Sequence, residues 1–270
     1  MKKPGRGLLL AAVGAGIVVG VTITSLALRA PVVEAQGSGD RLPRTRDGKP
    51  DLSGIWQTLS TAAVDLEDHA AEEGAPAGQG VVEGGEIPYQ PWALAKKREH
   101  GANRQALDPL SNCYLPGVPR ATYMPFPFEI VQTPRHVGIF YEFLHMTRMV
   151  YVDGSKHPEA LEFWMGDSRG RWEGDTLVVD VADFNDQTWF DRAGNFHSEE
   201  LHVVERYSPM SANHLRYEAT IEDPKVFTRP WKISMPLYRR LEKDTEILEY
   251  ECLGFMEPSP TLEQYRQLGK

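Results

Sequence analysis

Basic surface is what this chain has least of. Its 29 lysines and arginines face 38 aspartates and glutamates, for a formal net charge of −9. No basic patch and no Gly-rich phosphate loop occurs. A polyanion makes poor phosphate contacts, so nucleic acid is excluded as a partner. The acidity accounts for solubility rather than for a particular partner. No HExxH or similar spacing appears, so neither a metal nor an organic cofactor is expected. A hydrolase elbow is missing too. Ser168 in Gly166-Asp167-Ser168-Arg169-Gly170 has no strand-to-helix turn after it. Beyond Phe126 no helical period interrupts the pattern, which argues against parallel βαβ folds.

Cysteine is scarce as well: Cys113 and Cys252 are the whole complement. In an oxidising compartment an even count points to a bridge, and Cys113 is then structural rather than catalytic. Two buried free thiols are the alternative. Closing so long a loop stabilises by about 4–5 kcal/mol in the chain-entropy model.

The compartment is read from the first segment. Lys2, Lys3 and Arg6 form a basic start, Leu8 to Leu28 is apolar or small throughout, and Val33-Glu34-Ala35 fits a cleavage site. This is the pattern of a secretory signal over residues 1–35. An uncleaved membrane anchor through residues 8–28 is the alternative, since about 20 residues span a bilayer. Either way the remainder lies outside the cytoplasm, in the periplasm or secreted, because the basic start stays inside. Removing residues 1–35 takes four positive charges and one negative charge from −9 and leaves −12.

Residues 36–50 read as a flexible linker, and residues 51–270 as one β-rich domain. Leu52, Ile55 and Trp56 begin the fold in a strand over 51–58. Residues 62–88 are rich in Ala, Gly, Glu and Asp, the composition of a surface loop or a disordered one. Pro91 opens a helix to about Ala102, with Trp92, Leu94 and Ala95 as its buried side. Period-two patterning then places strands at 127–133, 136–144, 146–152, 175–182, 200–208, 213–222, 229–238 and 245–253. Asp153-Gly154 marks a turn, and Glu173-Gly174-Asp175 turns Arg171-Trp172 back into Thr176–Asp180. The fold class is mainly β: an antiparallel barrel or strongly curved sheet, lipocalin-like in the broad sense, with a short N-terminal helix.

Several stretches form a signature. They are Pro50-Asp51-Leu52-Ser53-Gly54-Ile55-Trp56, Cys113-Tyr114-Leu115-Pro116-Gly117-Val118-Pro119-Arg120, Gly170 to Asp180, Phe184-Asn185-Asp186 and His197-Ser198-Glu199. In these the chain resembles a large family of exported bacterial proteins, over most of its length after residue 50. The resemblance implies export and a single domain, and it carries no assigned chemistry.

Candidate chemistry gathers in three places. In a regular strand Tyr141, Phe143 and His145 share one face, and an imidazole beside two aromatic rings suits acid–base work. Arg148 joins them only if the chain bends at His145; otherwise His145 is a core histidine and Arg148 a surface residue. His197-Ser198-Glu199-Glu200-Leu201-His202-Val203-Val204-Glu205-Arg206 is the densest polar cluster. Alternation puts Glu205 on the face of Leu201, Val203 and Tyr207, pointing into an apolar interior. A buried carboxylate needs a partner or a raised pKa, and Arg148, Arg216 or a histidine can supply one. Glu205 is therefore a general acid or base inside a barrel, or half of a structural ion pair. Metal binding by His145, His157, His197 and His202 is disfavoured, because His197 and His202 differ by five and a strand puts them on opposite faces. Asp183 to Asp191 mixes aromatics and carboxylates. Asn185, Asp186 and Trp189 are candidate ligand contacts there, together with His202, Tyr141 and Phe143. The plainer reading is a loop bonding its own backbone.

Two functions follow. One is an exported, cofactor-independent enzyme using His145, Arg148, His197 and Glu205 on a small, partly apolar molecule, as a lyase, isomerase or hydrolase. The other is a periplasmic barrel that binds a small molecule without chemistry.

Overall fold

A computed structural model describes residues 42–72 and 75–252. The signal or anchor expected over residues 1–35 lies outside these residues. Among the described residues no helix is long and apolar enough to cross a membrane.

Nine strands close into one barrel: β1 (Gly54–Gln57), β2 (Phe128–Gln132), β3 (His136–Tyr141), β4 (Thr147–Tyr151), β5 (Asp167–Glu173), β6 (Thr176–Ala182), β7 (His202–Ser211), β8 (His214–Glu222) and β9 (Trp231–Arg239). Neighbours in sequence are neighbours in the sheet, and β9 returns to β1. An odd number of strands cannot alternate all the way round a closed ring, so one adjacent pair must run parallel. That pair is β4 and β5, with Val150 opposite Ser168 and Tyr151 opposite Arg169. A parallel pair needs a crossover of about a dozen residues or more, and residues 152–166 supply it. No helix is involved, so the sheet is mixed without being βαβ.

Alternation sorts the faces. Val203, Glu205 and Tyr207 on β7, Leu215, Tyr217, Ala219 and Ile221 on β8, and Trp231, Ile233, Met235 and Leu237 on β9 are all buried. His202, Val204 and Arg206 point outward. The β5–β6 hairpin turns at Gly174, whose φ of 60° is easy only for glycine.

Several sequence expectations need correcting. The strand expected over 245–253 does not form among its described residues. Thr245 to Cys252 is an irregular strap with one bridge, Phe143 to Tyr250. The closed barrel leaves no edge for a tenth strand. Residues 62–88 are not a loose surface loop, because Ala62, Leu66, Val82 and Ile87 are buried. Strand β1 is short and covers only the end of β9. Val81 and Glu83 hydrogen-bond Ser234 and Lys232, satisfying backbone groups that β1 leaves unpaired. Strand β5 appears where only the turn after it was expected. The helix (α1, Pro91–Ala102) is present, but Ala93 is its buried residue while Trp92 stays 53% exposed. Its contact face runs through Ala93, Lys96 and His100. His100 stacks on Trp189 at 4.5 Å and Lys96 sits 5.1 Å from the Phe196 ring centroid.

Two further features frame the barrel. Residues 42–50, expected as linker, run along it: Leu42 is buried, and Arg44 donates twice to Asp175 at 2.9 and 2.7 Å. Cys113 and Cys252 are bonded, with Cα atoms 5.6 Å apart. The bridge fastens the strap to the short 3₁₀ turn Pro109–Asn112.

Candidate functional site

Glu205 lies inside the barrel at 0% exposure, and Arg148 is its partner. The pairing is bidentate. Arg148 Nη1 donates to Glu205 Oε1 at 3.2 Å, Nη2 donates to Oε2, and Nε donates to Ser168 Oγ at 2.9 Å. The Tyr207 and Tyr217 hydroxyls also donate to Oε1, at 3.2 and 2.7 Å. Burial works against the Arg148 charge, but Glu205 and the tyrosines beside it hold its pKa above the ordinary value. Burial, and then Glu205, push both tyrosines well up, so they remain donors. The group ties β4, β5, β7 and β8 together. None of five surface clefts is lined by Arg148 or Glu205. A sealed, fully engaged carboxylate reads as a clamp.

The chain does bend at His145, but in a way that separates it from Arg148. Leu144 and His145 both have positive φ, 57° and 50°, at the centre of a type I′ turn between β3 and β4. Such a conformation costs a bulky residue about 1–3 kcal/mol. The turn throws His145 outward, where its Nδ1 meets Glu251 at 3.2 Å. Arg148 continues inward on β4. Tyr141 stays in the barrel with its hydroxyl buried and, among the described residues, unpartnered. Phe143 packs between Phe126 and Tyr250, at 5.2 and 5.4 Å. The three do not share a face.

His197 is buried among Phe184 and Phe190. Its Nδ1 lies 2.8 Å from the Ser198 carbonyl, which only accepts, so Nδ1 carries the proton. Nε2 then accepts from Thr188 Oγ1 at 2.7 Å. Both nitrogens are occupied, and burial lowers the pKa against the opposing pull of the Ser198 carbonyl and Asp223. The unfolded chain therefore takes up this proton at a higher pH than the folded one. The contribution to stability is full above about pH 6.5, the ordinary histidine value, and is lost as pH falls through the lowered folded value. The denaturant midpoint will drop between pH 7.5 and 5. In His197→Gln the drop will be smaller; an unchanged pH profile would remove His197 as a source.

In the 183–191 loop, Asn185 Oδ1 accepts from the Gln187 amide at 3.0 Å, Asp186 accepts from Gln187 Nε2 at 2.6 Å, and Trp189 is buried under His100. Among the described residues His145, His197 and Glu205 have no bonding partner in common. The structure does not bring them together.

It does bring together a different set, on the outer wall. Asp167 and Arg169 on β5, Asp180 on β6 and His202 on β7 face outward at one level. Residues 152–166 fold over them and deliver His157. His157 Nδ1 lies 2.7 Å from Asp167 Oδ2, and its Nε2 lies 3.2 Å from Asp180 Oδ1. His202 Nε2 reaches the same Asp180 Oδ1 at 2.9 Å. Arg169 bonds both Asp167 oxygens, at 2.6 and 2.9 Å, and Ser155 Oγ at 2.6 Å. Asp183, just past β6, brings a third carboxylate within reach. Carboxylate oxygens accept, so Asp180 holds two imidazole N–H groups on one oxygen. Beside this group is an open cleft of about 480 Å³, lined by Ser155, Lys156, His157, Arg169, Arg171 and Asp180 among others.

Of this set only His202 was singled out as a ligand contact in the sequence. The available signal was the alternation of Asp167, Arg169 and Arg171, opposite Asp180, on one outer face. No family model, curated protein or solved structure matches the chain.

Proposed function

We propose that this chain is an exported enzyme that moves a proton on a small anionic molecule, as a lyase, isomerase or hydrolase, in the outer-wall cleft. The observation that carries the reading is the pair of imidazoles held on one oxygen of Asp180 beside that cleft. A carboxylate between two imidazoles orients both rings and stabilises either one when it gains a proton. His202 is part-exposed, and its Nδ1 has no hydrogen-bond partner among the described residues, which leaves that nitrogen open to a ligand. Lys156, Arg169 and Arg171 line the cleft of an otherwise acidic protein, which favours a carboxylate or phosphate on the ligand. Export rests on the basic start and the apolar run over residues 8–28.

The test is a screen of anionic metabolites on the purified chain, with His202→Ala and Asp180→Asn beside the wild type. Loss of a general acid or base lowers kcat/KM by about 10²–10⁴-fold. That loss in both variants, with Glu205→Gln active whenever it is folded, is the expected result. Stabilisation by a ligand without turnover would make the barrel a binder. Turnover unaffected in both variants would move the chemistry elsewhere.

A further inference from the structure

We propose that His157, Asp167 and Asp183 form a binding site for one divalent transition-metal ion, of the zinc or manganese type. One ligand atom from each lies within 4.8 Å of the other two. The inference rests on the same outer-wall cluster and adds a cofactor to it.

Three observations support the assignment. A metal-bound histidine nearly always donates its second ring N–H to a carboxylate, a backbone carbonyl or water, which fixes the tautomer and leaves the lone pair toward the ion. His157 has that partner: Nε2 lies 3.2 Å from Asp180 Oδ1, while Nδ1 lies 2.7 Å from Asp167 Oδ2 across a shared proton whose place a bound ion would take. In turn Asp180 is anchored by His202 at 2.9 Å. Ligand and outer-shell support are therefore both built.

Asp183 gives the second argument. Its Oδ2 is buried and has no hydrogen-bond partner among the described residues. Its backbone is left-handed, φ 59°, a conformation that a non-glycine residue adopts at some cost. The Phe163 amide holds it there by donating to the Asp183 carbonyl at 2.8 Å. An unpartnered carboxylate oxygen in a strained, tethered residue is unfavourable without a cation.

Charge is the third. Asp167, Asp180 and Asp183 bring three negative charges, and among the described residues Arg169 is the one permanent cation bonded to any of them, which leaves two negative charges to the imidazoles and a bound ion. A divalent ion balances them. Arg169 does not block the site, because a carboxylate has about four lone-pair directions. One nitrogen and two carboxylate oxygens suit zinc, manganese or iron(II). Calcium takes six to eight oxygens and is disfavoured by the imidazole.

The experiment is calorimetric titration of the purified, chelator-treated full chain with Zn²⁺ and Mn²⁺, and with Ca²⁺ as the control. One equivalent will bind, Ca²⁺ will not compete, and His157→Ala and Asp183→Asn will each weaken binding at least tenfold. Asp180→Asn will weaken it about 10–100-fold through the outer shell. Asn tolerates a left-handed backbone, so Asp183→Asn keeps the test valid even if His157→Ala fails to fold. No saturable binding, or binding equal in wild type and Asp183→Asn, overturns the site. Metal binding without turnover in the metabolite screen would remove the enzyme reading and keep the site. Turnover that survives chelation, with no binding isotherm, would do the reverse.

Discussion

Glu205→Leu will destabilise the barrel by about 3–5 kcal/mol, the usual effect of removing one partner of a buried ion pair. Arg148 is then a buried charge without its counter-ion, and the hydroxyls of Tyr207 and Tyr217 lose their acceptor. For a domain of this size a loss of that order lowers Tm by roughly 10 °C. Arg148→Met alone will be comparably harmful, because it leaves the Glu205 carboxylate in the same apolar interior. The double variant, Arg148→Met with Glu205→Leu, will recover most of the loss, since a well-packed apolar pair often equals a buried salt bridge. The measurement is a double-mutant cycle by urea unfolding. Additive losses would mean that the two residues are not a unit, and that Glu205 is stabilised by something else in the barrel.

Opening the Cys113–Cys252 bridge will have a comparable effect, about 4–5 kcal/mol. The bond closes a loop with a sequence separation of 139 residues, so it removes much freedom from the unfolded chain. The folded strap has other anchors that outlast reduction. Tyr250 lies 4.5 Å from Phe126 and 5.4 Å from Phe143, and the Leu248 amide donates to Glu142 Oε2 at 3.0 Å. Because the strap stays docked, the difference appears in global unfolding rather than as local fraying. Cys113→Ser with Cys252→Ser, unfolded beside the oxidised wild type, measures it. A loss under about 1 kcal/mol would show that the strap detaches once the bond is gone, and protease cleavage near residue 245 would then rise.

Some of this was legible in the residues. Alternation in β7 to β9 is regular because one face meets the barrel interior and the other meets water, and that alone put Glu205 inside. Two cysteines allow one pairing. Strand β5 was illegible for the converse reason. Its inner face is Ser168, Gly170 and Trp172, and its outer face is Asp167, Arg169 and Arg171, so little apolar alternation is left to read. Those small inner residues have causes elsewhere: Ser168 receives Arg148, and a Cβ on Gly170 would lie 2.8 Å from Val150 Cγ1. His145 is a similar case, since nothing local announces a left-handed turn at Leu144-His145.

By itself, then, the sequence determined the β class and the inward carboxylate, and it allowed a single disulfide pairing. These depend on side-chain period and on counting, both properties of the chain as a string. Only the tertiary structure decided the rest. Ring closure with nine strands forced one parallel pair, which falls at β4–β5, and denied the strap a place in the sheet. The crossover that this pair requires carried His157 onto Asp167, Asp180 and Asp183. A site assembled by closure from four separate stretches leaves no spacing in the sequence, because the distances that matter there run around the barrel and not along the chain.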